Sequence, residues 1–404
     1  MNNRAVVTIC SINYLPKASV LLSSYRGWHP NDSIFLVIVD KRSPYPNIDH
    51  LGAEVIWADE LGIDDFLAKA FCFDVIELNT NVKPVVILRL LQSFESVVYL
   101  DPDVKVYSEL TSVYRALETA TIVVTPHSNT PISDSLVPGD VEFLRFGAYN
   151  LGFIGVRQCD ESFAFLRWWK DRCLTLGFYE PQSGLAVDQK WIDLAPAFFP
   201  NLKILHEAGL NVAFWNLHER VVTEQSGKFY VNSEHPLQFF HFSSFDENNP
   251  QRIAQKQTRF LPGSRPDICK ILTEYSAELV AAKGAISVST KYGFDFFDDG
   301  VPITAALRRI YAALRVDLFH DTNPFTARGK VWRFARKHGF LSRSRLASKR
   351  TSFRDIGEFR SQEAIIGFFL RMLLRVVGPD RYFGFMRYLA YISSIRNQKH
   401  FFNR

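Results

Sequence analysis

The chain has 404 residues, room for two or three domains with an ample core. Its 47% apolar and 22% charged residues exclude a disordered chain, and no run of roughly 18 apolar residues is present to span a bilayer as a helix. The net charge of +5 conceals a split: residues 301–404 hold 21 Lys+Arg against 6 Asp+Glu, a net +15, whereas residues 1–300 hold 26 against 36, a net −10. An acidic part followed by a strongly basic one points to two tasks.

In chain order, "AVVTIC" (Ala5 to Cys10) predicts a short buried strand. Tyr14 to Arg26 has helical spacing, with Leu15, Ala18, Val20, Leu21, Leu22 and Tyr25 on or beside one face. "SIFLVIVD" (Ser33 to Asp40) and Glu54 to Trp57 read as further strands, and residues 59–71 as a helix. "KPVVILRLLQSF" (Lys83 to Phe94) is a predicted helix with proline near its start, where the missing N–H costs little. A strand (Ser96 to Leu100), a helix (Leu110 to Glu118) and a strand (Thr121 to Thr125) follow. Apolar strands alternating with helices indicate an α/β protein, with a mostly parallel sheet covered on both faces. Five cysteines (Cys10, Cys72, Cys159, Cys173, Cys269) lack metal-like spacing, and the opening "MNNRAVVTICSINY" lacks a signal-peptide layout. Reduced thiols in a cytoplasmic protein are the expectation.

The stretch "VVYLDPDVKVY" drives a strand out of the core and ends it on Asp101 and Asp103. In parallel sheets ligands bind beyond such carboxyl ends. Residues i and i+2 of an extended chain point the same way, and two carboxylates so placed repel unless a cation lies between them. Oxygen ligands of this kind suit Mg²⁺ or Mn²⁺. A solvated turn with aspartate as a local cap is the competing reading.

The segment resembles the Asp-X-Asp region of GT-A-fold glycosyltransferases, especially the retaining galactosyltransferase/glycogenin type (carbohydrate family 8), in a bacterial branch of unassigned members. Other motifs fall in that family's order: "TICSINYLPKASVLLSSYRGWHP", "TNVKPVVILRLLQSF", "YNLGFIGV", "LAVDQKWIDLAP" and "FFHFSSFD", together covering about residues 5–260. The resemblance implies a Rossmann-like GT-A fold, a metal held by Asp103 and His241, and Asp101 touching the metal or the donor ribose. It implies donor contacts from Asn150 and Gly152, where glycine lets the backbone approach a sugar closely. It also implies that Asp188 binds donor-sugar hydroxyls and that the Gln189 carbonyl lies beneath the anomeric carbon. An amide is a poor nucleophile, which favours a short-lived oxocarbenium-like species and retention over a covalent intermediate. The family's basic residue after the histidine has no clean counterpart in "HFSSFDENNPQRIAQK". Arg252, Lys256, Lys83 and Arg89 are the candidates for the donor phosphates. Trp215, Asn216 and His218 in "NVAFWNLHER" fit either a sugar site or a packed core.

The last quarter follows a predicted junction at "STKYGFDFFDDGVP". Helices are expected over Ile303 to Leu318 and Ala364 to Val377, and "EAIIGFFLRMLLRVVG" and "RYFGFMRYLAYISSIR" interleave large apolar residues with arginine. Basic amphipathic helices on an anionic membrane have this pattern, and so does a helical subdomain packed internally. Nucleic acid is not an expected partner. The expected organisation is a GT-A domain over residues 1–284 and a basic, mainly α-helical region over 285–404. The expected activity is metal-dependent hexosyl transfer from a nucleoside-diphosphate sugar, UDP favoured, to a surface glycan or lipid-linked acceptor. Such an enzyme would be cytoplasmic and peripheral on the inner face of the plasma membrane. A sugar-nucleotide pyrophosphorylase would need a glycine-rich loop after the first strand, which "CSINYLPKAS" does not supply. A non-catalytic glycan-binding scaffold of the same fold is the alternative outside enzymes.

Overall fold

The structure, a computed structural model, describes residues 3–42, 48, 51–286, 291–320, 323–342 and 360–402. Ser289 and Thr290 of the expected junction lie outside the described residues. The chain divides into two compact units, one of Met1–Asp64 with Val75–Gly293 and one of Asp65–Asp74 with Phe294–Arg404.

From the amino end, β1 (Arg4–Cys10) leads into α1 (Leu15–Trp28), then β2 (Ser33–Ile38) and β3 (Glu54–Trp57). Three helices follow: α2 (Phe66–Cys72), α3 (Val75–Asn81) and α4 (Lys83–Leu90). Next come β4 (Ser96–Leu100), β5 (Val104–Val106), α5 (Thr111–Leu117), β6 (Ile122–Val124), α6 (Asp140–Phe146), β7 (Phe153–Arg157) and α7 (Asp160–Leu176). After a small hairpin of β8 (Tyr179–Glu180) and β9 (Leu185–Ala186) the chain turns through α8 (Ala195–Phe198) into β10 (Leu202–Ile204). A three-stranded sheet of β11 (Val222–Gln225), β12 (Lys228–Val231) and β13 (His235–Pro236) precedes β14 (Phe239–His241) and α9 (Cys269–Ala285).

Seven strands form one sheet in the order β10-β6-β7-β4-β1-β2-β3. All neighbours are parallel except β7, which runs antiparallel to both β4 and β6. β1, β2 and β4 are buried almost throughout, as strands covered on both faces must be. Val6, Leu36, Val98 and Leu100 pack with Leu21 and Tyr25 of α1 and with Val113 and Leu117 of α5. On the opposite face, α4 packs against β1, β4 and α7. The expected GT-A-type arrangement, a Rossmann-like and mostly parallel sheet with helices on both faces, is what the chain forms.

Several elements differ from the sequence expectation. The helix expected over 59–71 begins only at Phe66, because Gly62 and Asp65 adopt left-handed φ values of 67° and 53° that interrupt it. α3, α6, α7 and α9 were not expected; in α7, Phe163 and Trp168 lie off the buried stripe of Phe165, Leu166, Trp169 and Cys173 and blur its period.

The second unit is mainly helical, as expected: α10 (Ala305–Leu318), α11 (Lys330–Lys337), α12 (Arg360–Val377) and α13 (Pro379–Ser393), then a short helix Ile395–Phe401. Its centre is the buried Arg308, which donates to the carbonyls of Ala70, Phe71, Phe73 and Phe294 and to Asp295. One guanidinium thus satisfies carbonyls at the carboxyl end of α2 that have no partner within that helix.

Candidate metal centre

The strand tip of β4 carries Asp101, and a tight turn closed by Val104 N–H to the Asp101 carbonyl (3.0 Å) sends the chain into β5. β5 pairs antiparallel with β14 in a register that sets His241 opposite Val104, and Phe242 N–H donates to the Asp103 carbonyl at 2.8 Å. This ladder brings His241 to the aspartates. Its Nε2 lies 3.1 Å from Asp103 Oδ1 and 3.7 Å from Asp101 Oδ2. One ligand atom from each of the three residues lies within 4.8 Å of the others. Adjacent ligands of an octahedral cation at about 2.1 Å stand about 3 Å apart, so the spacing fits one hard divalent ion.

The histidine tautomer suits that role. Asn211, fully buried and at φ 50°, donates its amide Nδ2 to Thr125 Oγ1 (2.9 Å) and Asn150 Oδ1 (3.0 Å). Its Oδ1 is thereby turned to accept from His241 Nδ1 at 3.2 Å, which leaves the Nε2 lone pair for a cation. Asn216 holds the loop, accepting from Ala213 N–H and donating to the Asn211 carbonyl. The polar chain ends at His127, whose Nδ1 lies 3.3 Å from the Ala148 carbonyl and whose Nε2 accepts from Asn150 Nδ2. Burial pushes His127 down to about 4, so it stays neutral. Trp215 packs its ring edge-on to His241, at 5.1 Å between centroids, as a core residue.

Gly152 stands directly against the His241 imidazole. A Cβ there would lie 2.2 Å from His241 Cε1 and 2.6 Å from Nδ1, so the glycine makes room for the imidazole. Asn150, implied as a donor contact, has its amide committed to Gly152 N–H, Asn211 and His127.

Lys83, the first residue of α4, is buried and donates to the Leu151 carbonyl (2.7 Å) and Asp188 Oδ2 (2.6 Å), with its Nζ 4.0 Å from Asp101 Oδ1. Burial raises the Asp188 carboxyl, and Lys83 pulls it the other way. Tyr99 donates to Asp101 Oδ1 at 2.5 Å, and its phenol is pushed well above its usual range by burial and then by Asp101. Burial would also raise Asp103, but a proton on His241 Nε2, in the place a cation would take, and then Lys17 outweigh it and hold the carboxyl well below the usual range. Lys17 Nζ stands 3.9 Å from Asp103 Oδ2 and was not anticipated. Three carboxylates against two ammoniums leave the group negative, which favours a cation. Gln189 accepts from Leu151 N–H and donates to the Phe146 carbonyl, both at 3.0 Å, so its amide is fixed at both ends.

Two candidates hydrogen-bond elsewhere, and a third is exposed. Arg89 is exposed and donates to the Glu60 carbonyl at 2.8 Å. Arg252 is exposed and donates to the Gln255 carbonyl, and Lys256 is exposed nearby.

No protein-family model matches the chain. It is 26% identical over 181 residues to the uncharacterized protein YfnF of Bacillus subtilis, covering 43% of this chain and 58% of YfnF. It is 23% identical over 246 residues to YfnD of the same organism, covering 59% of this chain and 76% of YfnD. Among solved structures it is similar to the galactosyltransferase LgtC in complex with donor and acceptor sugar analogues. There the identity is 15%, with 71% of this chain and 98% of that one covered, at a TM-score of 0.40. The glycosyltransferase GlyE of Streptococcus pneumoniae gives 15%, 74% and 67%, and 0.41, and the bifunctional glycosyltransferase WbbM gives 14%, 70% and 52%, and 0.39. All three are glycosyltransferases.

Proposed function

We propose that this protein is a metal-dependent glycosyltransferase that moves a sugar from a nucleoside diphosphate, UDP in our reading, to a surface glycan or its lipid-linked precursor, with retention. The observation that carries the proposal is the convergence of Asp101, Asp103 and His241 at the carboxyl end of the sheet, with every ligand atom within 4.8 Å. Those three residues would hold Mn²⁺ or Mg²⁺, which when bound neutralises charge on the leaving diphosphate. Asn211 fixes the His241 tautomer, and Lys17 adds positive charge beside Asp103. Lys83 holds Asp188, Asp101 and the Leu151 carbonyl in one arrangement. The doubly held Gln189 amide presents a fixed dipole to a developing oxocarbenium ion, and Asp188 next to it adds negative charge from a buried position. Arg89, Arg252 and Lys256 enter this reading only as groups on the approach to the donor. A cytoplasmic enzyme at the inner face of the plasma membrane meets both a nucleotide donor and a lipid-linked acceptor.

The test is hydrolysis of a panel of nucleotide sugars with and without Mn²⁺, followed by NMR of the transfer product. Metal-dependent release of one sugar, and a product with the donor's anomeric configuration, are expected. Gln189→Ala should lower kcat more than it raises KM. Full activity in excess EDTA contradicts the metal assignment, and an inverted product contradicts the role of Gln189.

A further inference from the structure

We infer that α12 and α13 form a hairpin that docks on an anionic lipid bilayer, with its apolar side chains below the headgroups and its arginines at the phosphates. The packed-subdomain alternative requires these helices to bury their large residues, and they do not. From Ala364 to Ser393 no residue is buried. Half-buried Leu370, Leu373 and Val377 on α12, and Tyr382, Met386 and Leu389 on α13, recur at helical spacing and mark the seam where the two helices meet. The rest faces outward: Phe368 is 55% exposed, Phe369 66%, Val376 78% and Phe383 64%. The base of the hairpin is tied down. The short helix Ile395–Phe401 packs on α10, and the Phe402 ring meets Phe334, His338 and Phe340.

Charge decides the occupant. Between Ala364 and Ser393 the sequence carries Arg371, Arg375, Arg381 and Arg387 against one acid, Asp380. All four arginines are exposed and interleaved with the apolar residues. A protein partner covering this surface would have to supply an acidic group for each of four guanidiniums, because a buried charge left unpaired is costly. A bilayer boundary accepts both groups, because an arginine stem lies along apolar surface while its head reaches the phosphates. Among the described residues no helix is long and apolar enough to cross a membrane, so the hairpin lies in the interface plane.

The experiment is flotation of the full chain with vesicles of phosphatidylglycerol and phosphatidylcholine, without donor or metal, so that its outcome is independent of the glycosyl-transfer reading. Wild type should float with these vesicles at low salt. Partitioning should fall at least tenfold with phosphatidylcholine alone and at high salt, where screening shortens the reach of charge. Phe369→Asp with Phe383→Asp should lose flotation with unchanged melting temperature and unchanged donor hydrolysis. Arg375→Ala with Arg387→Ala should lose about fivefold per arginine, and this pair carries the test if the aspartate variant fails to fold. Wild type that never floats overturns the inference. So does a self-associating wild type that the Phe369→Asp, Phe383→Asp variant converts to monomer, since a second copy would then be the occupant.

Discussion

Behind β4 and β5, side chains that normally meet water are buried: His127, Asn150, Asp188, Asn211 and His241 are each at most 8% exposed. On α12 and α13, side chains that normally avoid water face it. A buried polar group is costly unless partnered. Here each polar group is held by the next, from His127 through Asn150 and Asn211 to His241, so burial becomes rigidity. The hairpin's apolar residues have a seam and little more, so they stay available to something outside the chain. A site built for one geometry and a surface built for one environment thus depart from ordinary burial in opposite directions.

Glycine substitutions should separate the two regions most sharply. In Gly152→Ala the new methyl cannot coexist with the His241 ring, and overpacking of this kind costs about 1–3 kcal/mol. Calorimetry should find no measurable Mn²⁺ binding. Gly384 on α13 has nothing within 4 Å of an added Cβ, so Gly384→Ala should leave metal binding unchanged and stabilise its helix slightly. Equal effects from the two would erase the contrast.

Acid should act on the polar chain through His127. His127 titrates near 4 in the folded protein against about 6.5 unfolded. Between those values the unfolded chain binds a proton that the folded one refuses. Stability is therefore complete above about pH 6.5 and falls by about 3 kcal/mol as pH drops toward 4. Burial also lowers His29 and His218, so denaturant midpoints across pH 4 to 7 should show a loss in wild type that is smaller in His127→Gln; equal slopes in the two would remove His127 as a cause.

A smaller effect is expected at Asn211. Asn211→Leu keeps the volume but removes the acceptor for His241 Nδ1, and loss of such an outer partner costs ten- to hundredfold in metal affinity. Unchanged affinity would show that the imidazole orients itself.

Much of this was legible in the sequence, for identifiable reasons. β4 stands out because four apolar residues stop at an aspartate, and the Asp101–Asp103 spacing is local. His241 lies far along the chain and was placed only by resemblance; the physical link is the β5–β14 register, which no local pattern encodes. Asn211 was missed, although a lone amide between Leu210 and Val212 in an apolar run asks for a buried partner. Pro84 marked a helix start at Lys83 without telling that the lysine turns inward to Asp188. Arg252 and Lys256 were chosen by proximity in sequence to the histidine, and loops carry no period that says which way a side chain faces.

The central claim is that Asp101, Asp103 and His241 make one cation site. Titration calorimetry of the full chain with Mn²⁺, in the presence and absence of UDP, tests it directly. One Mn²⁺ per chain is expected for wild type, with UDP binding tightened by the metal. Asp103→Asn should lose the metal heat while keeping the wild-type melting temperature, because the residue sits at a strand tip outside the apolar core. Undiminished Mn²⁺ binding by Asp103→Asn, or its absence in wild type, contradicts the account.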